Sequence, residues 1–509
     1  MRLGKGAIGG ACLGLALLVL PAAGAGPGAT TRVSVGAGNT QGDGRSFIPA
    51  LSADGRYAAF YSDASNLVAR DTNGARDVFV RDLQTSETTR VSVSSSGAEA
   101  NGDSFAPAVS SDGRFVAFAS SASNLVDGDT NDANDVFVRD RQTNTTTRVS
   151  VGFDGSQANG GSDQPSLSGD GRLVAFTSAA TNIVAGDLNG VRDAFVYDRQ
   201  AGIAVNISVD STGVQADLDS FTPMLSANGQ FVAYTSFADN LIPGDLNEGS
   251  DVFVRDLQAN TTERVSEYTG HYEGEGDSLR PSISADGRYV AFDSDDWNLV
   301  WGDTNDDFDV FVNDRATTVT TRVSIDDSGT QSSGASYRPS ISGDGRYVAF
   351  YSEASNLVPG DTNGATDVFV HDQRSGATKR ISVGSTGAEG NGDSVRPALS
   401  SNGRLAVFES DATNLVPGDT NGFTDVFLND PQGTPPPAPP PPIKCHVPRV
   451  IGMRLAVARK RVGRANCTVG VVRHVRVAPR RAGKVIRQSP RAGAVRARAA
   501  KVTLVVGRR

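Results

Sequence analysis

The chain has 509 residues, 38% of them hydrophobic and 21% charged, with a formal net charge of −9. That apolar fraction is enough for a large core and excludes a chain disordered throughout. Fifty-seven glycines, with short β-branched and aromatic runs between Gly, Asp, Asn and Ser clusters, argue against a helical protein and read as all-β.

Residues 1 to 25 come first, with basic Arg2 and Lys5, an apolar centre and the small residues Ala23-Gly24-Ala25 at the end. This is the pattern of a signal peptide. An uncleaved anchor is the other reading, although the apolar run is short for a membrane span. Cys12 precedes the main apolar run and is badly placed to carry a lipid. Cleavage leaves Cys445 and Cys467, and in an exported chain an even pair reads as one disulfide. The expected location is extracellular or cell-wall associated, periplasmic where an outer membrane is present, with no membrane contact after cleavage.

The body, residues 31 to 430, is a repeat. Pro49, Pro107, Pro165, Pro223, Pro281, Pro339 and Pro397 recur every 58 residues and define units one to seven. In unit six, PSIS (Pro339 to Ser342) predicts a strand and GDG (Gly343 to Gly345) a tight hairpin turn. RYVAFYS (Arg346 to Ser352), DVFVHD (Asp367 to Asp372) and KRISV (Lys379 to Val383) predict three more strands. A four-stranded sheet cannot bury both faces alone, and seven arranged radially bury one another. The motif TRVSV first occurs at Thr31, ahead of any complete unit, while unit seven stops after DVFLND (Asp425 to Asp430). Residues Arg32 to Val35 are therefore expected to complete the last sheet and hide two sheet edges. The expected fold is an all-β, seven-bladed β-propeller.

PSISADGRYVAF, DVFVRD and TTRVS resemble the WD-repeat-like units of TolB-type β-propellers, and the resemblance covers Thr31 to Asp430. It implies the fold and leaves activity open, because propellers host many functions.

A polyproline spacer, TPPPAPPPP from Thr434, follows in residues 431 to 442. Residues 443 to 509 then hold 19 of the 48 basic residues and none of the 57 acidic ones, so an acidic body is joined to a basic tail. The tail carries Val447, Pro448 and Gly452 as VP-x-x-x-G, an Ala-rich helix, QSP (Gln488 to Pro490), Gly493 and a closing VTLVVG. It resembles a PASTA domain, a helix-plus-sheet module of bacterial cell-wall proteins. The resemblance implies peptidoglycan, or an anionic wall polymer, as partner.

One acidic loop recurs in all seven units. Its Asp/Asn/Asp positions are Asp71, Asn73, Asp77; Asp129, Asn131, Asp135; Asp187, Asn189, Asp193; Asp245, Asn247, Asp251; Asp303, Asn305, Asp309; Asp361, Asn363, Asp367; and Asp419, Asn421, Asp425. Oxygen side chains at positions 1, 3 and 7 of a short loop suit a hard cation such as Ca²⁺, although the bidentate glutamate of an EF-hand is missing. The alternative is turn capping, in which Asp and Asn bond nearby backbone N–H groups. The same turn role is expected of Asn356, Asp372 and their repeats, and Phe369 with its equivalents is expected in the core. In antiparallel blades these loops and the NGDS-type segments between units share one rim.

Unit five breaks the symmetry. Both tryptophans, Trp297 and Trp301, lie in its long loop, and the preceding segment holds Tyr268, His271 and Tyr272 with Glu273 and Glu275. Aromatics beside carboxylates form a candidate site for a sugar or a peptide, with simple packing of this sector as the alternative. Catalysis finds little support. The four histidines are scattered, no G-x-S-x-G elbow is present, and no hydrolase domain accompanies the propeller. The SADG and SGDG turns lack the extra residue of a sialidase Asp-box, and no pair of carboxylates stands out for glycosidase chemistry. The expectation is a monomeric, non-enzymatic binding protein whose propeller partner is an unknown protein or glycan, and not nucleic acid. A calcium-stiffened scaffold and a glycan-acting enzyme are the alternatives.

Overall fold

The computed structural model describes residues 30 to 268, 272 to 431, 445 to 465, 467 to 496 and 500 to 508. The leader, residues 432 to 444 of the spacer region, and His271 lie outside the described residues. Among the described residues no helix is long and apolar enough to cross a membrane.

Residues 30 to 431 form seven four-stranded antiparallel sheets, one for each repeat. In unit six the strands are Ser336–Ile341, Tyr347–Ser352, Asp367–Asp372 and Ala377–Arg380. The first begins three residues before the expected PSIS. The fourth ends at Arg380, short of Val383. Ile381 N–H still bonds the Val368 carbonyl (2.8 Å), but Ser382 turns inward, its hydroxyl donating to Asp367 and accepting Val368 N–H. That inward bond draws the backbone off the ladder, and Val383 instead bridges Glu389 on the way to unit seven.

Each first strand carries a bulge at the residue before the repeated proline. In unit six Tyr337 pairs with Tyr351 and Ser340 with Ala349, so one residue is extra. Arg338 there takes a φ of 50°. Proline, with no N–H to donate, is tolerated in such a break in the ladder.

The strand Thr30–Arg32 pairs antiparallel with Asp425–Asn429 and completes the seventh sheet. It starts two residues before the expected Arg32, and Val33 N–H to the Val426 carbonyl (2.7 Å) carries the pairing onward. The core lies between sheets. Val310, Val312 and Val323 of unit five pack with Val348, Phe350 and Phe369 of unit six, all buried. Phe350 meets Phe369 with centroids 5.9 Å apart, and every unit has an aromatic pair at these positions, Tyr234 taking the first place in unit four. Burying one such ring is worth about 2 kcal/mol. Backbone bonds also pass directly between units at the hairpin turns, as from Gly343 N–H to the Ser401 carbonyl (2.7 Å). These turns, with an aliphatic ring running from Leu51 to Leu399, line one end of the central channel.

The C-terminal unit has its own core. A helix, Leu455–Arg464, buries Ala458 and Val462, four apart on one face. These pack with Val485, Val502, Leu504 and Val506 of a three-stranded sheet formed by Thr468–Arg476, Lys501–Arg508 and Val485–Ser489. Cys445 and Cys467 are disulfide-bonded, as expected, across 22 residues. Gln488 of the QSP motif accepts a bond from Val450 N–H (2.8 Å) and donates to the Pro448 carbonyl (2.9 Å), tying the VP-x-x-x-G start to the sheet.

Candidate functional site

The acidic loops and the segments between units share one rim, as the strand order requires. Asn363 donates to the Gly390 carbonyl (2.9 Å) and Asp393 accepts Thr366 N–H (2.9 Å), joining the long loop of unit six to the segment that enters unit seven. Asn356 holds the same kind of segment from the other side, accepting Ser333 N–H and donating to the Gln331 carbonyl. At the opposite end of the strands Asp372 caps its turn through Arg374 N–H and pairs with Arg346 (2.7 Å). Arg346 therefore holds the Asp372 carboxyl well below the usual carboxylate range.

Within each acidic loop the first and third members meet an arginine in six of the seven units. Arg380 Nη1 lies 3.0 Å from both Asp361 Oδ1 and Asp367 Oδ2. Arg90 bridges Asp71 and Asp77, Arg148 bridges Asp129 and Asp135, Arg264 bridges Asp245 and Asp251, and Arg322 bridges Asp303 and Asp309. Arg32 of the closing strand does the same for Asp419 and Asp425. The middle asparagine ties the loop down: Asn363 donates to Asp367 (3.0 Å) and accepts Ala365 N–H (3.0 Å). Burial raises the outer aspartates, Asp71 and Asp303 to about 6, against the opposing arginine. The expectation of calcium in every loop thus narrows, because an arginine supplies the positive charge in six. In unit three the arginine position is Asn206, and among the described residues no ion pair joins Asp187 or Asp193 to an arginine.

The tryptophan sector is exposed. Trp297 is 57% and Trp301 88% accessible, and neither packs into the core. The preceding segment forms a two-stranded hairpin, Glu267–Tyr268 with Tyr272–Glu273, in which Tyr268 and Tyr272 are register partners. Asp295 and Asp296 stitch hairpin to loop by accepting Asp277 N–H (2.7 Å) and Glu275 N–H (3.0 Å). Asp296 is buried where unit six has Ala354, and burial pushes its carboxyl up. Room for it comes from Gly274, where units one and two have Ala100 and Ala158; a Cβ at Gly274 would lie 1.6 Å from Asp296 Oδ2.

The bulge position of the first strands escaped the sequence reading. Around the ring it holds Ile48, Ala106, Gln164, Thr222, Arg280, Arg338 and Arg396, so the last three units contribute arginines side by side. Arg280 pairs with buried Asp293 and Arg396 with buried Glu409. Asp293 is raised to about 6 by burial. In unit six Tyr351 stands where the neighbouring units have Asp293 and Glu409, and Arg338 has no acidic ion-pair partner among the described residues. Desolvation and the like charges of Arg396 and Arg280 depress it. Such a cluster suits a carboxylate or phosphate. Comparing the residue before each aligned proline would have found it. His371, by contrast, is buried against the Thr378 hydroxyl (2.9 Å) as a packing residue.

Residues 446 to 508 match the PASTA domain family model. No match emerges among curated protein sequences. Solved structures resemble the propeller at low identity. TolB from Acinetobacter baumannii is 16% identical with a TM-score of 0.36, over 66% of this chain and 62% of that one. Oligogalacturonate lyase from Vibrio parahaemolyticus is 13% identical with a TM-score of 0.48, over 79% and 93%. Kuenenia stuttgartiensis hydrazine synthase is 17% identical with a TM-score of 0.40, over 76% and 96%. The propeller assignment rests on the seven sheets themselves.

Proposed function

We propose that the chain is an exported, non-catalytic binding protein. Its C-terminal module associates with peptidoglycan or anionic wall polymers, and its propeller rim holds a glycan or a protein. The observation that carries this reading is the PASTA domain at residues 446 to 508. Together with the disulfide it points to an extracytoplasmic, cell-wall-associated location. The 19 basic and no acidic residues of the tail favour polymers bearing carboxylate or phosphate. On the propeller, the exposed Trp297 and Trp301 on one loop support ring stacking against a sugar or a peptide.

The test is co-sedimentation with purified cell-wall sacculi at low and moderate salt. The full chain is expected to pellet and to hold at about 0.15 M salt, where exposed long-range attraction is largely screened. A chain ending at residue 442 is expected to stay soluble. Release of the full chain by modest salt, or equal pelleting of the truncated chain, would overturn the wall reading. For the rim, a screen of wall glycans and exported proteins is followed by Trp297→Ala with Trp301→Ala. The pair is expected to weaken binding about tenfold or more with melting unchanged.

A second reading is a structural propeller without a small ligand. The arginine-bridged loops favour it, since each closes with its own charges. Tryptophan variants that leave every interaction unchanged would support it.

A further inference from the structure

We propose that the acidic loop of unit three is a single cation site of the propeller, taking Ca²⁺ between Asp187 and Asp193 where five other units place an arginine nitrogen between the same two oxygens and the closing strand's Arg32 bridges the seventh.

The argument is an atom-by-atom comparison among repeats. In units one, two, four, five and six, an arginine Nη1 contacts Oδ1 of the first aspartate and Oδ2 of the third member, at 2.8 to 3.5 Å. One point close to both oxygens is therefore positively charged in each. Unit three keeps the acids and loses the charge. Its fourth strand, Ile203–Asn206, ends in asparagine, which is shorter by much of a guanidinium arm and neutral.

The bonds to Asp193 are unchanged. Asn189 still donates to Asp193 Oδ2 (2.9 Å) and to the Ala216 carbonyl (2.9 Å), and Ser208 still donates to Asp193 Oδ1 (2.5 Å). The Asp193 carboxylate thus keeps its anchors.

A second observation points to a ligand. Asp187 is only 7% accessible, and its Oδ1, the atom that meets arginine elsewhere, has no hydrogen-bond partner. In units two and five a glutamine also donates to that oxygen, Gln157 to Asp129 (2.7 Å) and Gln331 to Asp303 (3.1 Å). In unit three Gln215 bonds the Gly186 carbonyl instead (3.2 Å). An anchored carboxylate beside a second one whose buried oxygen has no partner costs free energy unless a positive charge joins them.

The donors are all oxygens, which favours a hard cation. Ca²⁺ tolerates an irregular shell completed by backbone carbonyls and water at about 2.3–2.6 Å, whereas Mg²⁺ demands a near-ideal octahedron. Only two carboxylates contribute, so the affinity belongs to the weak range of extracellular calcium modules, about 0.1–1 mM.

The experiment is calcium titration by calorimetry on the full exported chain after chelator dialysis, with melting curves in CaCl2, MgCl2 and NaCl. The expected result is one calcium per chain and a raised melting midpoint in CaCl2 that MgCl2 and NaCl do not reproduce. Asn206→Arg restores the bridge of the other units. It is expected to abolish calcium binding and to raise the calcium-free melting midpoint. Asp187→Asn is expected to abolish binding as well. Absence of calcium binding by the wild-type chain at millimolar concentration overturns the proposal, and so does undiminished binding by Asn206→Arg. Stabilisation by acid alone, without a calcium response, would mean that a proton takes the place assigned to the ion, and would overturn it too.

Discussion

Single residues show how far the repeats agree and where they do not. The aromatic pair is Phe with Phe in six units and Tyr234 with Phe253 in unit four. The Tyr234 hydroxyl is wholly buried and makes no well-formed hydrogen bond, and burial drives its pKa up, opposed by the Thr262 side chain. An unsatisfied buried hydroxyl costs about 1 kcal/mol or more. Tyr234→Phe restores the residue of the other units and is expected to raise stability by about 1 kcal/mol in denaturant unfolding. Charge pairs at the hairpin turns behave differently. Arg172 holds Asp198 down at about 2, below its unfolded value near 3.8. A lowered carboxylate stabilises above the unfolded pKa and loses that contribution as pH falls through the folded one. Arg172→Gln should therefore lower the melting midpoint slightly at pH 5, and the difference should shrink as pH falls through about 2, as melting curves of both proteins across that range will report.

At the level of elements, the closing strand is the most consequential. Thr30–Arg32 supplies the fourth strand of the seventh sheet, and Arg32 spans Asp419 and Asp425. Its side chain is 8% exposed, against 51% for Arg172. An exposed pair is screened and worth little, whereas removing one partner of a buried pair strands the other charges. Arg32→Ala is expected to cost about 3 kcal/mol in denaturant unfolding, far more than Arg172→Gln. A midpoint unchanged by Arg32→Ala would mean that the clasp does not hold the ring. The strand pattern itself was legible. Alternating apolar residues and Asp-Gly or Asn-Gly turns placed every sheet, because both signals are local. The ends of strands were less so. The fourth strand stops at Arg380 because Ser382 bonds Asp367, a partner on another strand that spacing does not reveal.

Across the whole molecule, an acidic propeller and a basic PASTA domain are joined through a proline-rich spacer. The two units answer to different tests, sacculi binding for one and ligand or cation binding for the other. By itself the sequence determined the seven-fold repeat, the closing strand, the shared rim of acidic loops, the disulfide and the PASTA domain. Period, alternation and motif spacing are properties of neighbouring residues, and a repeat multiplies them seven times. Only the tertiary structure decided what the acidic loops face. The arginine that meets Asp361 lies 19 residues away on a different strand, and the sequence shows its presence without its contacts. The arginines at the first-strand bulges, and the exchange that fits Asp296 against Gly274, were hidden for the same reason. Each depends on residues from separate strands or units meeting at one point, and the fold alone brings them there.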